Sequence, residues 1–256
     1  MIRRTLLAAA ASLALLASFA GCAADAPTPG QSLPKPPTEA CLGVAQESTS
    51  MWLTTDDGEF DVGLLGEGEV TAILVHQLNE NSCGWFPFAA NLAEEGVRVM
   101  LLNLCGYSET TCSGGSLTGT GADAVLAAAD WARENGAERV VVAGASIGGT
   151  TAMIAATHDA DTGLLDGIAD LSSPILADGS DLRRGAPSIT IPAFLAVGPG
   201  DSVVSVSAMH EVADALASAE VTLLDDANGH GWDMLNGPGG PSGQTVADQL
   251  TAFILG

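Results

Sequence analysis

Positive charge is what this sequence has least of. Its 256 residues carry only 8 Lys and Arg against 31 Asp and Glu, a formal net charge of −23. A surface of that sign repels phosphate backbones and anionic headgroups, which excludes nucleic acid as a partner. Histidine is scarce too, with 4 in the chain. No CxxC or HxxxH pair offers the ligand spacing of a zinc site, so neither a metal nor another cofactor is expected. No apolar run reaches the roughly 20 residues of a membrane-spanning helix, and no internal repeat is visible. Charged residues make up 15% of the chain and apolar ones 47%, which excludes disorder over the whole length and suffices for one large buried core.

The N-terminus has its own pattern. Arg3-Arg4 precedes an apolar run over residues 5–20, the basic start and hydrophobic stretch of a secretory signal. Phe19-Ala20-Gly21-Cys22 resembles the lipobox of bacterial lipoproteins, with Phe standing where Leu is usual. That resemblance implies a signal peptide over 1–21, cleaved before a diacylated Cys22. Each buried CH₂ of the acyl chains adds about 0.8 kcal/mol of membrane affinity, so the chain would be anchored to the bilayer without crossing it. The expected location is the cell envelope, on the outer side of the cytoplasmic membrane, or secreted. Pro27, Pro29, Pro34, Pro36 and Pro37 keep the following stretch out of helices and sheets. Residues 22–44 therefore read as the lipidated cysteine and an extended tether.

Without Cys22 the chain keeps Cys41, Cys83, Cys105 and Cys112, an even number in an oxidising compartment. Four cysteines allow three pairings. The loop-like Gly-Tyr-Ser-Glu-Thr-Thr between Cys105 and Cys112 favours that bridge, with Cys41–Cys83 as the second.

From residue 45 onward, strand-like and helical patterns alternate. Residues 50–55 and 59–65, around Asp56-Asp57-Gly58, read as a β-hairpin. Continuous apolar runs follow at 70–76, 97–104, 139–144, 167–171, 191–197 and 221–224. Strands apolar on both faces belong to a parallel sheet covered by helices on each side. Helices are expected at 85–95, 121–135, 146–157, 205–218 and 242–255, with Glu95-Gly96 and Asn135-Gly136 as stops. The order predicts one α/β domain over 45–256, a mostly parallel sheet with an antiparallel start.

Gly144-Ala145-Ser146-Ile147-Gly148 sits between the run 139–144 and the helix beginning near 146. A nucleophile elbow needs that strand, a strained turn and a helix, with small residues so that neighbouring backbone can approach. The helix N-terminus would then aim free N–H groups at whatever Ser146 attacks. A serine at its free pKa is a poor nucleophile. It needs an imidazole base, and the base needs a carboxylate to fix its tautomer. On an elbow scaffold the order is Ser, acid, His, each in a loop after a strand. His76 precedes the serine, His158 ends the next helix and His210 lies inside a helical pattern. His230, in Asn-Gly-His-Gly-Trp after the last strand, fits. Asp201 stands at the tip of the run 191–197, competing with Asp225 and Asp226 after the next strand. Asp170 lies within a strand.

With these residues the stretch 45–256 resembles the α/β-hydrolase superfamily. The loop Val75-His76-Gln77-Leu78 resembles that family's His-Gly-x oxyanion loop, and Asn103-Leu104-Cys105-Gly106-Tyr107-Ser108 stands where many members have Asp-x-Arg-Gly-x-Gly. Gln77 replaces a glycine and Cys105 an arginine. The resemblance implies an oxyanion hole made by the backbone N–H groups of Leu78 and Ile147. It also implies acyl transfer to water through an acyl-Ser146 intermediate, as in carboxylic-ester hydrolases. Peptidase or thioesterase chemistry would use the same parts, and a non-catalytic ligand-binding lipoprotein could share the fold. The stretch between Pro174 and Ile189 is too short for a cap domain, which predicts an open site. Trp85, Trp232 and Met234 are either its walls or core residues. The acidic surface favours a small neutral or cationic ester as substrate.

Overall fold

A computed structural model of the chain describes residues 48–218, 220–237 and 245–256. The expected signal peptide, the Pro-rich tether, Cys22 and Cys41 lie outside the described residues.

The hairpin forms as the Asp-Asp-Gly turn requires: β1 (Thr49–Thr55) runs antiparallel to β2 (Gly58–Leu65), Thr55 opposite Gly58. Then β3 (Val70–Val75), β4 (Val97–Leu102), a short β5 (Thr111–Cys112) and β6 (Arg139–Ala145) follow. β7 (Gly167–Leu171), a ribbon of β8 (Leu176–Ala177) and β9 (Ser180–Asp181), β10 (Ala193–Ala196) and β11 (Val221–Leu224) complete the strands. The main sheet has the order β1-β2-β4-β3-β6-β7-β10-β11, with β5 on β2. From β4 to β11 all neighbours along it are parallel. Their C-terminal ends therefore open on one edge.

Both faces of the central strands β3, β4, β6, β7 and β10 are buried, which is why these strands are largely apolar rather than alternating. Ile73, Val75, Val140, Val142 and Leu195 pack on one side with α2 (Leu117–Glu134), α3 (Ile147–His158) and α5 (Val206–Ala215). Ala72, Leu74, Val141, Ala143 and Phe194, one residue out of phase, pack on the other with α1 (Phe86–Glu94) and α6 (Val246–Leu255). The period of two thus divides a single sheet between two cores.

Side-chain caps set the starts of α2, α5 and α6, whereas α1 and α3 begin without one. The Ser116 hydroxyl accepts from Gly119 N–H, so α2 begins four residues before the expected Gly121. Ser205 caps α5, and Thr245 forms a reciprocal capping box with Asp248 at α6. β10 is shorter than the expected run because Pro192, which has no N–H to give the ladder, precedes it. Between Pro174 and Ile189 lie only the β8–β9 ribbon, the single-turn α4 (Leu182–Gly185) and a 3₁₀ turn. No cap domain fits there.

The Cys105–Cys112 bridge is present, with Cα atoms 5.7 Å apart. Cys83 is also held in a disulfide; its expected partner, Cys41, is outside the described residues.

Candidate active site

Ser146 stands at the end of β6, where the chain turns sharply into α3. Its backbone has φ 51° and ψ −118°, a conformation that L residues adopt only when the surroundings enforce it. Its N–H donates to Leu171 O on β7 (2.9 Å), and its carbonyl accepts from the N–H groups of Gly149 and Thr150 at 2.8 and 3.1 Å. The turn is this tight only because glycines flank it. A Cβ on Gly144 would lie 2.0 Å from Gly148 O, and one on Gly148 would lie 2.3 Å from Val75 O and 2.7 Å from His76 O. The second contact matters for chemistry, because it seats the start of α3 against the loop after β3 that leads to Leu78. The first helical N–H, that of Ile147, has no acceptor within its own helix.

Asp201 and His230 come together although 29 residues separate them. The His230 Nδ1–H donates to Asp201 Oδ2 at 2.8 Å. The Asp201 side chain is shut off from solvent, whereas that of His230 is 26% exposed. The other carboxylate oxygen, Oδ1, accepts from the N–H groups of Val203 (2.8 Å) and Val204 (3.0 Å). Burial pushes this carboxyl upward. The hydrogen bonds from His230, Val203 and Val204, with the imidazole's charge, outweigh that and leave it below the ordinary carboxylate value. Nε2 of His230 and Oγ of Ser146 make no hydrogen bond among the described residues. Their backbones are close: a Cβ on Gly231, next to the histidine, would lie 3.4 Å from Ala145 Cβ, next to the serine. Such nucleophile–base bonds commonly tighten only when substrate is in place.

The competing acids go elsewhere. Asp225 pairs with His210 on the exposed surface, Nε2 to Oδ2 at 3.0 Å. Asp170 is wholly buried beneath α3, bonded to the N–H and hydroxyl of Ser173, and desolvation raises its carboxyl to about 6.

One residue at this edge has no counterpart in the sequence reading. Ser172, fully buried at the tip of β7 with φ 51°, accepts the Gly231 N–H at 2.8 Å, and its Oγ lies 3.0 Å from His230 Nδ1. A single hydroxyl therefore touches the imidazole and clamps the backbone just beyond it.

The loop after β3 is held as firmly. His76 donates from Nδ1 to Gln77 O (2.8 Å) and accepts at Nε2 from Leu104 N–H (2.9 Å), a pattern only the neutral ring can make. Burial lowers its pKa to about 4. Tyr107 packs edge-on against this ring, centroids 4.6 Å apart, and its hydroxyl accepts from Asn79 N–H. Leu78, 49% exposed, lies within the segment so fixed. Where Gln77 replaces glycine, its Oε1 is buried without a partner among the described residues, in the space a Cβ on Gly231 would take. Where Cys105 replaces arginine, the disulfide holds the loop, together with a bond from Ser108 Oγ to buried Asp61 (2.6 Å).

Trp85, Trp232 and Met234 are core residues, not walls. Trp85 is fully buried, donates to Val75 O (3.0 Å) and meets Trp232 edge to face at 6.0 Å. That contact locks the turn after His230 onto the segment before α1.

Residues 72–162, which include the elbow, match a family model described as the alpha/beta hydrolase fold. Among solved structures, the esterase Pf2001 of Pyrococcus furiosus is similar with a TM-score of 0.65 and 16% identity, over 76% of this chain and 86% of that one. The ferulic-acid-bound Est1E of Butyrivibrio proteoclasticus has a TM-score of 0.60 and 15% identity, over 80% and 96%. A thioesterase domain from the curacin biosynthetic pathway has a TM-score of 0.60 and 13% identity, over 82% and 99%. No curated protein matches the chain. Sheet order, elbow and solved neighbours agree: this chain has the α/β-hydrolase fold.

Proposed function

We propose that the chain is a serine hydrolase that cleaves carboxylic esters through an acyl-Ser146 intermediate. The observation that carries this reading is the 2.8 Å contact from Asp201 to His230 Nδ1 on the sheet edge that also bears the strained Ser146. With Nδ1–H held by a carboxylate, Nε2 is the basic nitrogen. It takes the Ser146 proton as Oγ bonds to the ester carbonyl carbon, then gives that proton to the departing alkoxide. Water repeats the cycle on the acyl-enzyme and frees the acid. Charge on the tetrahedral oxygen would meet the N–H groups of Leu78 and Ile147, each worth about 3 kcal/mol of the barrier. Two of the similar structures carry the word esterase or thioesterase in their names, which supports acyl transfer as the reaction class.

A fluorophosphonate probe and p-nitrophenyl acetate test it. The full chain should be labelled and should turn over the ester, and Ser146→Ala and His230→Ala should each lose both while staying folded. Turnover retained in Ser146→Ala would refute the mechanism. Faster release from peptide anilides than from the acetate would move the substrate to amides. For location we propose that a lipid on Cys22 anchors the chain at the outer side of the cytoplasmic membrane. Labelled palmitate should enter the wild type and not Cys22→Ser.

A further inference from the structure

Two adjacent residues at the tip of β7 tie together the elements that carry Ser146, Asp201 and His230. Leu171 O accepts the Ser146 N–H at 2.9 Å, so the backbone of the nucleophile hangs on β7. Ser172 N–H donates to Ala196 O at 2.8 Å, and Ala196 ends the strand that leads to Asp201. The Ser172 hydroxyl lies 3.0 Å from His230 Nδ1 and accepts the Gly231 N–H at 2.8 Å. It is fully buried, out of reach of any substrate.

The direction of these bonds follows from counting protons. Asp201 Oδ2, an ionised carboxylate oxygen 2.8 Å from Nδ1, can only accept, so the ring hydrogen stays on Nδ1. Facing an N–H, the Ser172 oxygen must accept as well. One ring hydrogen thus has two acceptors, a carboxylate and a hydroxyl, and the Gly231 amide holds the hydroxyl in place. A single acceptor leaves the ring free to swing about one bond; two define its plane. Bonds to a charged donor are roughly twice as strong as neutral ones, so both acceptors grip harder once the ring has taken a proton. Glycine would suit the φ of 51° at this position but has no such oxygen.

We propose that Ser172 is a positioning residue for the reaction: its hydroxyl shares the His230 Nδ1–H with Asp201, aims Nε2 at Ser146 and steadies the ring while it carries the serine proton. The proposal rests on the serine-hydrolase reading and adds a fourth group to its triad.

Ser172→Gly and Ser172→Ala, made in the full chain, both remove the oxygen but differ in backbone strain. In both, kcat on a p-nitrophenyl ester should fall by about 10–100-fold, the worth of one hydrogen bond to a charged group, with KM within about two-fold of wild type. Fluorophosphonate labelling should slow by a similar factor. Were the hydroxyl only a backbone clamp, turnover would instead follow melting temperature, and the glycine variant would stand well above the alanine one. Asp201→Asn gives a sharper readout. There the asparagine NH₂ donates to Nδ1, which carries no hydrogen, and the Ser172 hydroxyl can only donate to it too, holding the unproductive tautomer. Adding Ser172→Gly to Asp201→Asn should therefore cost less than about two-fold in kcat, whereas independent losses would multiply. A kcat loss of less than about five-fold in both single variants, a loss carried by KM, turnover restored by glycine alone, or a multiplied loss in the double variant each overturns the role of Ser172 and leaves the triad standing. A wild type that neither takes the probe nor turns over any ester overturns the hydrolase reading and this role with it.

Discussion

Asp201→Asn tests the arrangement most sharply, because the structure dictates how the new side chain must sit. Oδ1 of Asp201 accepts two backbone N–H groups, at 2.8 and 3.0 Å. An asparagine amide oxygen can take that place, and an NH₂ group cannot. The amide nitrogen is then left 2.8 Å from His230 Nδ1, in the position of Oδ2. It can only donate. Nδ1 must become the acceptor, the ring proton moves to Nε2, and the nitrogen proposed as the base for Ser146 can no longer take a proton. The Ser172 hydroxyl, 3.0 Å from Nδ1, can donate to it as well and favours the same wrong tautomer.

The corresponding change in a serine-protease triad lowers kcat by about 10⁴, or ~5.5 kcal/mol at 1.36 kcal/mol per decade. A loss of that order is expected here in kcat, with KM little changed. Fold stability should fall by only about 1–2 kcal/mol, since every donor and acceptor keeps a partner while three charge-assisted bonds become neutral. Steady-state kinetics on a p-nitrophenyl ester beside thermal unfolding separates the two effects. Asp225→Asn, whose carboxylate pairs with exposed His210, should stay within about two-fold of wild type. A folded Asp201→Asn that loses less than ten-fold in kcat would show that this carboxylate does not set the tautomer.

Three further outcomes follow from the same edge. Ser172→Ala leaves the Gly231 N–H buried without its acceptor, a loss of about 1–3 kcal/mol. Ser172→Gly loses the same hydroxyl but suits φ 51°, so it should melt a few degrees above the alanine variant, and the reverse order would refute the strain. Gly148→Ala drives a Cβ into the carbonyls of Val75 and His76, and a variant with unchanged melting temperature and ester turnover would contradict that packing. His76, lowered from 6.5 to about 4, binds a proton more readily in the unfolded chain, so its stabilisation is lost as pH falls from about 6.5 to 4. Asp170, raised from 3.8 to about 6, has the opposite sign and loses its contribution as pH rises through that interval. The two slopes offset between about pH 4 and 6. In Asp170→Asn the unfolding free energy should therefore gain about 1.4 kcal/mol per pH unit relative to wild type, measured by denaturant titration.

The backbone plan was legible because its signals are local. Apolar runs, Asp-Asp-Gly, and Ser or Thr before a helical pattern each act within a few residues, and β1, β2 and the parallel strands fall close to where they were expected. The pairing of Asp201 with His230 was legible for a different reason: strand tips on one edge must converge, whatever lies between them in sequence. Ser172 carried no such signal. Ser-Ser-Pro after a strand reads as a plain turn, and its hydroxyl reaches the imidazole only because φ turns positive and the Gly231 amide arrives from 59 residues away. Trp85 and Trp232 could be walls or core on sequence alone. The structure decides it at Gly84, where a Cβ would lie 2.2 Å from the Trp232 ring, a contact between residues 148 positions apart that no local pattern announces. His76 could be dismissed as a base by its place in the chain, but its bond to the Leu104 amide required the three-dimensional neighbour.

The distribution of strained backbone points to the same edge without reference to any side-chain chemistry. Among the described residues five non-glycines have positive φ, and four of them are Asn79, Ser108, Ser146 and Ser172. They follow β3, β4, β6 and β7, and the sheet order β4-β3-β6-β7 makes those strands immediate neighbours. A left-handed L residue costs roughly 1–2 kcal/mol, a large amount against a domain stability of about 5–15 kcal/mol. Glycine would remove that cost at each position, and with 31 glycines the chain is not short of it. What glycine lacks is a side chain to aim. Ser172 Oγ meets His230, Ser108 Oγ meets Asp61, and Ser146 presents its hydroxyl at the elbow; at Asn79 it is the backbone N–H, not the side chain, that meets Tyr107. The strain is concentrated where polar groups are directed and is held in place by strands that are buried on both faces.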